Sequence, residues 1–145
     1  LVSAYYHIVF STKYRLPLIL PDMEEGLYAC FGGIISRSGA VLVAAGGAED
    51  HPHLLVSGPT SIRIADLVRK VKANSTRWVQ ETFPDRAEFR WQTGYSMFTV
   101  GYRQLPKVKR YLAIQKLHHK TESYISELRR FLDAHDINYD PKDLR

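Results

Sequence analysis

The sequence predicts an α+β protein built as a split β-α-β sandwich, in which an antiparallel sheet carries helices on one face and further helices follow at the C-terminus. Two observations predict this class. The apolar patterns come in the order strand, helix, two strands, helix, strand, which is the order of that sandwich. The chain has 145 residues, of which 45% are apolar and 24% charged, as expected for one globular domain over residues 1–145.

The N-terminal part predicts a strand, a helix and a hairpin. Residues 4–13, AYYHIVFSTK, are rich in aromatic and β-branched side chains and predict a strand. Residues 22–38 repeat apolar side chains on one helical face between a proline and a glycine, which mark both ends of a helix. Two short apolar runs, residues 40–46 and 52–57, flank GGAED and predict an antiparallel hairpin with a longish loop.

The remainder of the chain predicts three helices and a strand pair. Residues 61–83 form a long basic amphipathic pattern that predicts a helix. Residues 88–92 and 95–100 predict two strands around a Thr-Gly turn. Residues 105–119 predict a third helix, and Thr121 can cap a fourth helix that ends near residue 135.

The cysteine count and the hydropathy favour a soluble cytoplasmic protein without a membrane segment. Cys30 is the only cysteine, so no disulfide can form within the chain and a reducing compartment is favoured. No apolar run approaches the ~18 residues that a membrane span needs, and no signal-peptide pattern is found.

The positive charge is concentrated in the middle of the chain. Residues 61–120 carry 13 basic and 4 acidic side chains, a net charge of +9, whereas the whole chain has a net charge of +5. Such a concentration attracts polyanions, of which nucleic acid is the commonest. The alternative is a basic surface that is simply solvated.

The predicted second strand of the hairpin begins with two histidines in HPHLLV. Side chains alternate along a strand, so His51 and His53 point to one face and Pro52 points to the other. Two imidazoles on one face can hold a metal ion with open coordination positions. A closed zinc site is excluded by the lone, distant Cys30, so any metal site here is open and suited to catalysis. The alternative is a hydrogen-bonded pair of histidines at a loop-to-strand junction.

The predicted third helix contains a second pair of candidates. Tyr111 and Gln115 are four residues apart and would stack on one helix face, about 6 Å apart along the axis. The amide oxygen of Gln115 can complete a metal site, and the phenol can attack a phosphoryl group bound there, since a divalent cation favours phenolate. The alternative is an amphipathic face on which Tyr111 only packs.

These residues resemble a known family, the single-tyrosine HUH transposases of small insertion sequences. Four ordered segments carry the resemblance: residues 6–17 (YHIVFSTKYRLP), 50–56 (DHPHLLV), 91–100 (WQTGYSMFTV) and 108–120 (VKRYLAIQKLHHK). In this family a bulky aliphatic residue usually separates the histidines. Pro52 departs from that pattern, and because it lacks an N–H it must lie near the strand start or at an edge.

The resemblance implies a fold, a reaction and a set of site residues. It implies a ferredoxin-like fold, His51, His53 and Gln115 as ligands of Mg²⁺ or Mn²⁺, and Tyr111 as the nucleophile. Family members cut single-stranded DNA near hairpins at the element ends, form a 5′-phosphotyrosine and rejoin strands by the reverse attack. They commonly form homodimers that pair histidines of one subunit with the tyrosine of the other.

This chemistry agrees with two further features of the sequence. Exchange of one phosphodiester for another conserves bond energy, so no nucleotide cofactor is expected, and GGAED lacks the lysine of a phosphate-binding loop. Imidazole and amide ligands suit Mn²⁺ better than Mg²⁺, so Mn²⁺ is expected to bind more strongly.

Candidate DNA contacts are basic side chains in the predicted helices and after the first strand. They are Lys13, Arg15, Lys70, Lys72, Arg77, Lys107, Lys109 and Arg110. A solvated helix surface is the alternative for each. Trp91, Tyr95 and Phe98 are interpreted as core aromatics, and His118 and His119 as surface residues at the helix end.

Two other functions remain open at this level. A histidine-based nuclease with water as nucleophile would cut DNA without a covalent adduct. A noncatalytic nucleic-acid-binding module of the same shape would bind without metal. Only the strand transferase uses Tyr111 and Gln115 together with the histidines.

Overall fold

The sheet has four antiparallel strands in the order β2-β3-β1-β4. The structure is a computed structural model that describes residues 1–115 and 122–144. The strands are β1 (Tyr5–Val9), β2 (Val41–Ala48), β3 (His51–Ser57) and β4 (Ser96–Val100). This arrangement confirms the predicted α+β class.

Helices cover both faces of the sheet. They are α1 (Pro21–Arg37), α2 (Ile64–Thr82), α3 (Leu105–Ala113) and α4 (Tyr124–Ala134). The β1 side chains alternate: Ile8 packs with α1 and α2, whereas Val9 packs with α4 on the other face. On β3, Leu55 packs with α3 on that second face. None of the described helices is both long and apolar enough to cross a membrane.

The prediction of a long hairpin loop was wrong. Only Glu49 and Asp50 connect β2 to β3, and Gly46 and Gly47 continue the β2 strand. The reason is close packing of α3 on β2. A Cβ atom on Gly46 would overlap the carbonyl oxygen of Leu112, so only glycine lets the α3 backbone approach this closely.

The predicted strand at residues 88–92 was also wrong. Within it only Trp91 makes a β-bridge, to Thr12, and β4 pairs with β1 instead. Tertiary contacts prevail over strand propensity, because the Trp91 indole donates to Ser75 at 3.0 Å and packs edge-on against Phe10. Tyr95 lies before β4 and is 42% exposed, so its assignment to the core was wrong.

The remaining boundaries differ at the ends of elements. β1 ends at Val9, earlier than predicted, and the chain then turns at Tyr14 and Arg15, which adopt positive φ angles of 58° and 56°. α3 ends at Ala113, and the remainder of the predicted helix lies largely outside the described residues, as do Thr121, His118 and His119. α4 begins after Ser123, whose side chain accepts a hydrogen bond from the Ser126 N–H.

Replacing Gly46 by alanine is expected to lower the free energy of unfolding by about 1–3 kcal/mol, because the added methyl group must push α3 away from β2. Urea denaturation measures the change. Gly32→Ala is the matched control, since its Cβ would meet only Leu42 at 3.8 Å and alanine favours the helix. Equal stability of the two variants would show that α3 does not pack on β2 in this way.

Candidate metal and tyrosine site

His51 and His53 lie at the start of β3, on the sheet face that α3 and α4 cover. Both side chains are fully buried, and their ring centroids are 5.1 Å apart. Pro52 pairs with Gly47 of β2, and β1 ends opposite His53. The proline therefore lies beyond the β1 ladder, where its missing N–H costs no hydrogen bond to that strand.

A buried carboxylate that the sequence reasoning missed sits between the two histidines. Oε1 of Glu127 is 2.8 Å from Nε2 of His53 and 3.3 Å from Nε2 of His51. Glu127 is 1% exposed. Glutamate is almost never buried without partners, and the two imidazoles are partners of this carboxylate. A signal was present in the sequence, since Glu127 falls within the apolar stripe of α4 that contains Tyr124 and Leu128.

These three side chains can hold a divalent cation. One donor atom from each of His51, His53 and Glu127 lies within 4.8 Å of the other two. Two imidazoles and one carboxylate are ligands that Mn²⁺ and related divalent cations accept, and the carboxylate makes the set more favourable for Mg²⁺ than histidines alone. The donor set therefore fits the metal that the family resemblance implies.

Neighbouring groups orient both imidazoles. Nδ1 of His51 lies 2.7 Å from the Asp50 carboxylate, and Nδ1 of His53 lies 2.7 Å from Nε2 of His7. Asp50 and His7 can each accept a hydrogen bond from the Nδ1–H of the imidazole they contact. The Nε2 atom of each imidazole is then unprotonated and faces Glu127. Burial lowers the pKa of His7 to about 3, which keeps that ring neutral and able to accept. Burial opposes the charged form of His51, but the bonds to Asp50 and Glu127 outweigh it and raise its pKa.

Tyr111 reaches the histidines of its own chain. Its ring packs edge-on against His53 at 5.9 Å, and its hydroxyl donates a short hydrogen bond to Oε2 of Glu127. One carboxylate therefore contacts both imidazoles and the phenol. Burial is the largest cause of a raised Tyr111 pKa and Glu127 adds to it, whereas Gln115 and Arg130 oppose it. In the arrangement seen here the phenol is therefore protonated near neutral pH.

Gln115 lies beside Tyr111, in a different setting from the one predicted. α3 ends at Ala113, so the two residues do not share a continuous helix face. The Gln115 amide N–H donates to the Tyr111 carbonyl oxygen at 3.4 Å. Its buried Oε1 has no hydrogen-bond partner within residues 1–115 and 122–144. That oxygen is an available donor for a cation.

Two of the predicted basic residues lie next to the tyrosine. Lys107 and Arg110 line a cavity of about 440 Å³ between α3 and α4, which Tyr111 and Arg130 also line. Lys109 is exposed on the same helix but does not line this cavity. The cavity places positive charge beside the phenol.

Arg15 and Lys13 lie near the start of β3, beside Asp50. Arg15 lines a second pocket, of about 330 Å³, together with Asp50 and Tyr124. The Lys13 ammonium stands over the ring of Tyr14, which is 74% exposed. This turn presents an aromatic and two cationic side chains within one short segment.

The predicted basic residues of α2 are not brought to the histidines. α2 packs against the opposite face of the sheet, so Lys70 and Arg77 are exposed far from the site. Lys72 has a structural role, because its ammonium donates hydrogen bonds to the carbonyl oxygens of Gln92, at 2.8 Å, and Gly94. Partial burial lowers its pKa to about 8. These two bonds leave Lys72 only one of its three ammonium donors for a phosphate contact.

Comparison with known families and proteins identifies relatives over most of the chain. The family model described as "Transposase IS200 like" matches residues 1–115. The chain is 25% identical over 115 residues to the ISDra2 transposase TnpA of Deinococcus radiodurans, covering 76% of this chain and 82% of that protein. It is 26% identical over 116 residues to the transposase for insertion sequence element IS200 of Salmonella typhimurium, covering 76% and 75%.

Solved structures share the fold. A crystal structure from Deinococcus radiodurans matches with a TM-score of 0.64 at 26% identity, covering 80% of this chain and 93% of that one. The structure of a REP-associated tyrosine transposase bound to a REP hairpin matches with a TM-score of 0.59 at 12% identity, covering 77% and 65%. At that identity the second match shows the fold alone. Glu127 and Arg130 lie beyond the segment that the family model matches.

Proposed function

Because the chain belongs to the IS200-like transposase family, we propose that it cleaves and rejoins single-stranded DNA through a covalent bond between Tyr111 and a 5′-phosphate. One observation carries this proposal. The Tyr111 hydroxyl is hydrogen-bonded to Glu127, and the same carboxylate contacts Nε2 of both His51 and His53. A candidate nucleophile and a candidate metal site therefore contact each other within one chain.

His51, His53 and Glu127 would hold a divalent cation, Mg²⁺ or Mn²⁺. Gln115, whose Oε1 has no hydrogen-bond partner among the described residues, would supply a further ligand. When bound, the cation supplies Lewis-acid chemistry by withdrawing charge from a phosphoryl oxygen. Asp50 and His7 would keep the two imidazoles in the tautomer that presents Nε2.

Cleavage would move the phenol proton and replace one phosphorus–oxygen bond by another. Glu127 accepts the proton of the Tyr111 hydroxyl, as the existing hydrogen bond indicates. The phenolic oxygen forms a bond to phosphorus, the bond from phosphorus to the 3′-oxygen breaks, and that oxygen leaves with its electron pair and takes up a proton from water. Rejoining is the reverse. One ester replaces another, so the reaction would need no nucleotide cofactor.

The basic side chains divide between two parts of the surface. Lys107, Lys109 and Arg110 would contact phosphates near the cut, and Lys13 and Arg15 would contact a DNA hairpin beside Asp50. A hairpin is the bound partner in the REP-associated relative, which supports hairpin DNA as the substrate class here. Lys70, Lys72 and Arg77 are poorer candidates, because α2 lies on the other face.

The chain would act as one catalytic domain in the cytoplasm. A homodimer is proposed from the family resemblance. Tyr111 already contacts the site of its own chain, so a dimer would serve to hold two DNA ends and is not needed to complete the site.

The experiment that tests this function uses a single-stranded oligonucleotide library that carries short hairpins. With Mn²⁺, the protein is expected to form a protein–DNA band that survives a denaturing gel. The band should disappear with chelator, because the phosphoryl group then lacks its Lewis acid. Cleaved DNA without the band would favour water as the nucleophile, and binding without cleavage would favour a noncatalytic module.

A further inference from the structure

Arg130 makes a defined contact with the atom that would react. Its Nη2 donates to the Tyr111 hydroxyl oxygen at 3.1 Å. Two further bonds, from Nη2 and Nε to the Glu122 carboxylate at 3.3 and 3.4 Å, hold the guanidinium in place. The guanidinium carbon also stands 5.2 Å from the centroid of the Phe131 ring. The group is therefore anchored on two sides while it contacts the phenol.

One helix supplies two partners of the phenolic oxygen. Glu127 and Arg130 are three residues apart on α4 and so lie on one face of that helix. Glu127 accepts a hydrogen bond from the phenol, and Arg130 donates a hydrogen bond to the same oxygen. An acceptor and a cationic donor on one oxygen form the arrangement that removes a proton and then stabilises the charge left behind.

Arg130 is also accessible to DNA. Its side chain is 50% exposed, in contrast to the buried Glu127. It lines the cavity of about 440 Å³ that contains Lys107 and Arg110. A phosphate that approaches Tyr111 through this cavity would meet the guanidinium before it meets the imidazoles.

We infer that Arg130 is a catalytic residue of the proposed strand transfer, and that its guanidinium stabilises the negative charge on the Tyr111 oxygen. The inference rests on the proposed function. During cleavage the phenol loses its proton to Glu127 and forms the bond to phosphorus while the 3′-oxygen departs. During rejoining the 3′-oxygen attacks, the bond from phosphorus to the phenolic oxygen breaks, and that oxygen keeps the electron pair. Arg130 contacts the phenolic oxygen in cleavage and in rejoining alike.

The test compares Arg130→Gln with Arg129→Gln, which removes an equal charge from the neighbouring exposed position of α4. Arg130→Gln is expected to slow single-turnover adduct formation and rejoining by about 10- to 100-fold, somewhat less than the loss of a buried oxyanion donor, because the group is half exposed. DNA affinity should change no more than in Arg129→Gln, and circular dichroism should show that both variants fold.

A second readout separates charge stabilisation from simple positioning. Difluorotyrosine at position 111 is a more acidic phenol and depends less on an external cation to carry negative charge. It is therefore expected to restore most of the rate lost in Arg130→Gln, while Arg130→Lys, which keeps the charge, should retain part of the wild-type rate.

The outcomes distinguish this inference from the function on which it rests. A wild-type protein that forms no adduct would overturn both. With an active wild type, three results would overturn the inference alone: an unchanged rate in Arg130→Gln, a rate loss fully explained by weaker DNA binding, or a rate loss that the acidic phenol does not relieve.

Discussion

Replacing Tyr111 by phenylalanine is expected to abolish the covalent protein–DNA adduct and to lower the cleavage rate at least about a thousandfold. The substitution removes only the phenolic oxygen. The ring keeps its edge-on contacts with His53 and Phe131, so the fold and the DNA-binding surface should persist. The measurement pairs a denaturing gel for the adduct with a fluorescence-anisotropy titration of labelled hairpin DNA.

The matched control is Tyr95→Phe. Tyr95 is 42% exposed and lines a pocket with residues of α2, on the sheet face opposite the histidines, so this variant should form the adduct at the wild-type rate. DNA affinity should agree among the three proteins within about threefold, since no phosphate contact is removed. An adduct that persists in Tyr111→Phe would show that another nucleophile performs the reaction.

Replacing Glu127 by glutamine is expected to have the second-largest effect. It removes the negative charge from the candidate metal site and removes the acceptor of the Tyr111 proton, while it preserves the shape of the side chain. Mn²⁺ affinity is expected to fall at least about tenfold, and cleavage at saturating Mn²⁺ at least about a hundredfold. Isothermal titration calorimetry measures the first, and single-turnover kinetics measures the second.

The control for this variant is Glu81→Gln, which neutralises an exposed carboxylate at the end of α2. It should leave Mn²⁺ binding and cleavage unchanged. If Glu127→Gln bound Mn²⁺ as tightly as the wild type, the carboxylate would not belong to the metal site. If only cleavage fell, its role would be confined to the phenol proton.

The order of elements could be predicted because apolar periodicity reports which faces are buried. The errors arose where a contact distant in sequence decides the local structure. GGAED carries the chemistry of a loop, yet Gly46 extends β2 because the α3 backbone packs on it. Residues 88–92 carry the composition of a strand, yet Trp91 packs into the core and β4 pairs with β1.

The candidate site was predictable in part for the same reason. His51 and His53 share a face because strand geometry fixes the alternation of side chains, a local rule. Glu127 is 74 residues from His53 in sequence, and only tertiary packing brings its carboxylate to 2.8 Å from that imidazole. The basic residues of α2 were predicted as DNA contacts from their charge alone. A charge count cannot tell on which face of the sheet a basic helix lies, and α2 lies on the face opposite the histidines.

We propose that the Tyr111 oxygen attacks a phosphodiester beside the site formed by His51, His53 and Glu127. The most direct measurement is mass spectrometry of the proteolysed adduct, which identifies the amino acid that carries the 5′-phosphate. The result expected is a phosphotyrosyl nucleotide on the peptide that contains Tyr111 and on no peptide with another of the nine tyrosines. Attachment at a different residue, or cleaved DNA with no modified peptide, would contradict the claim.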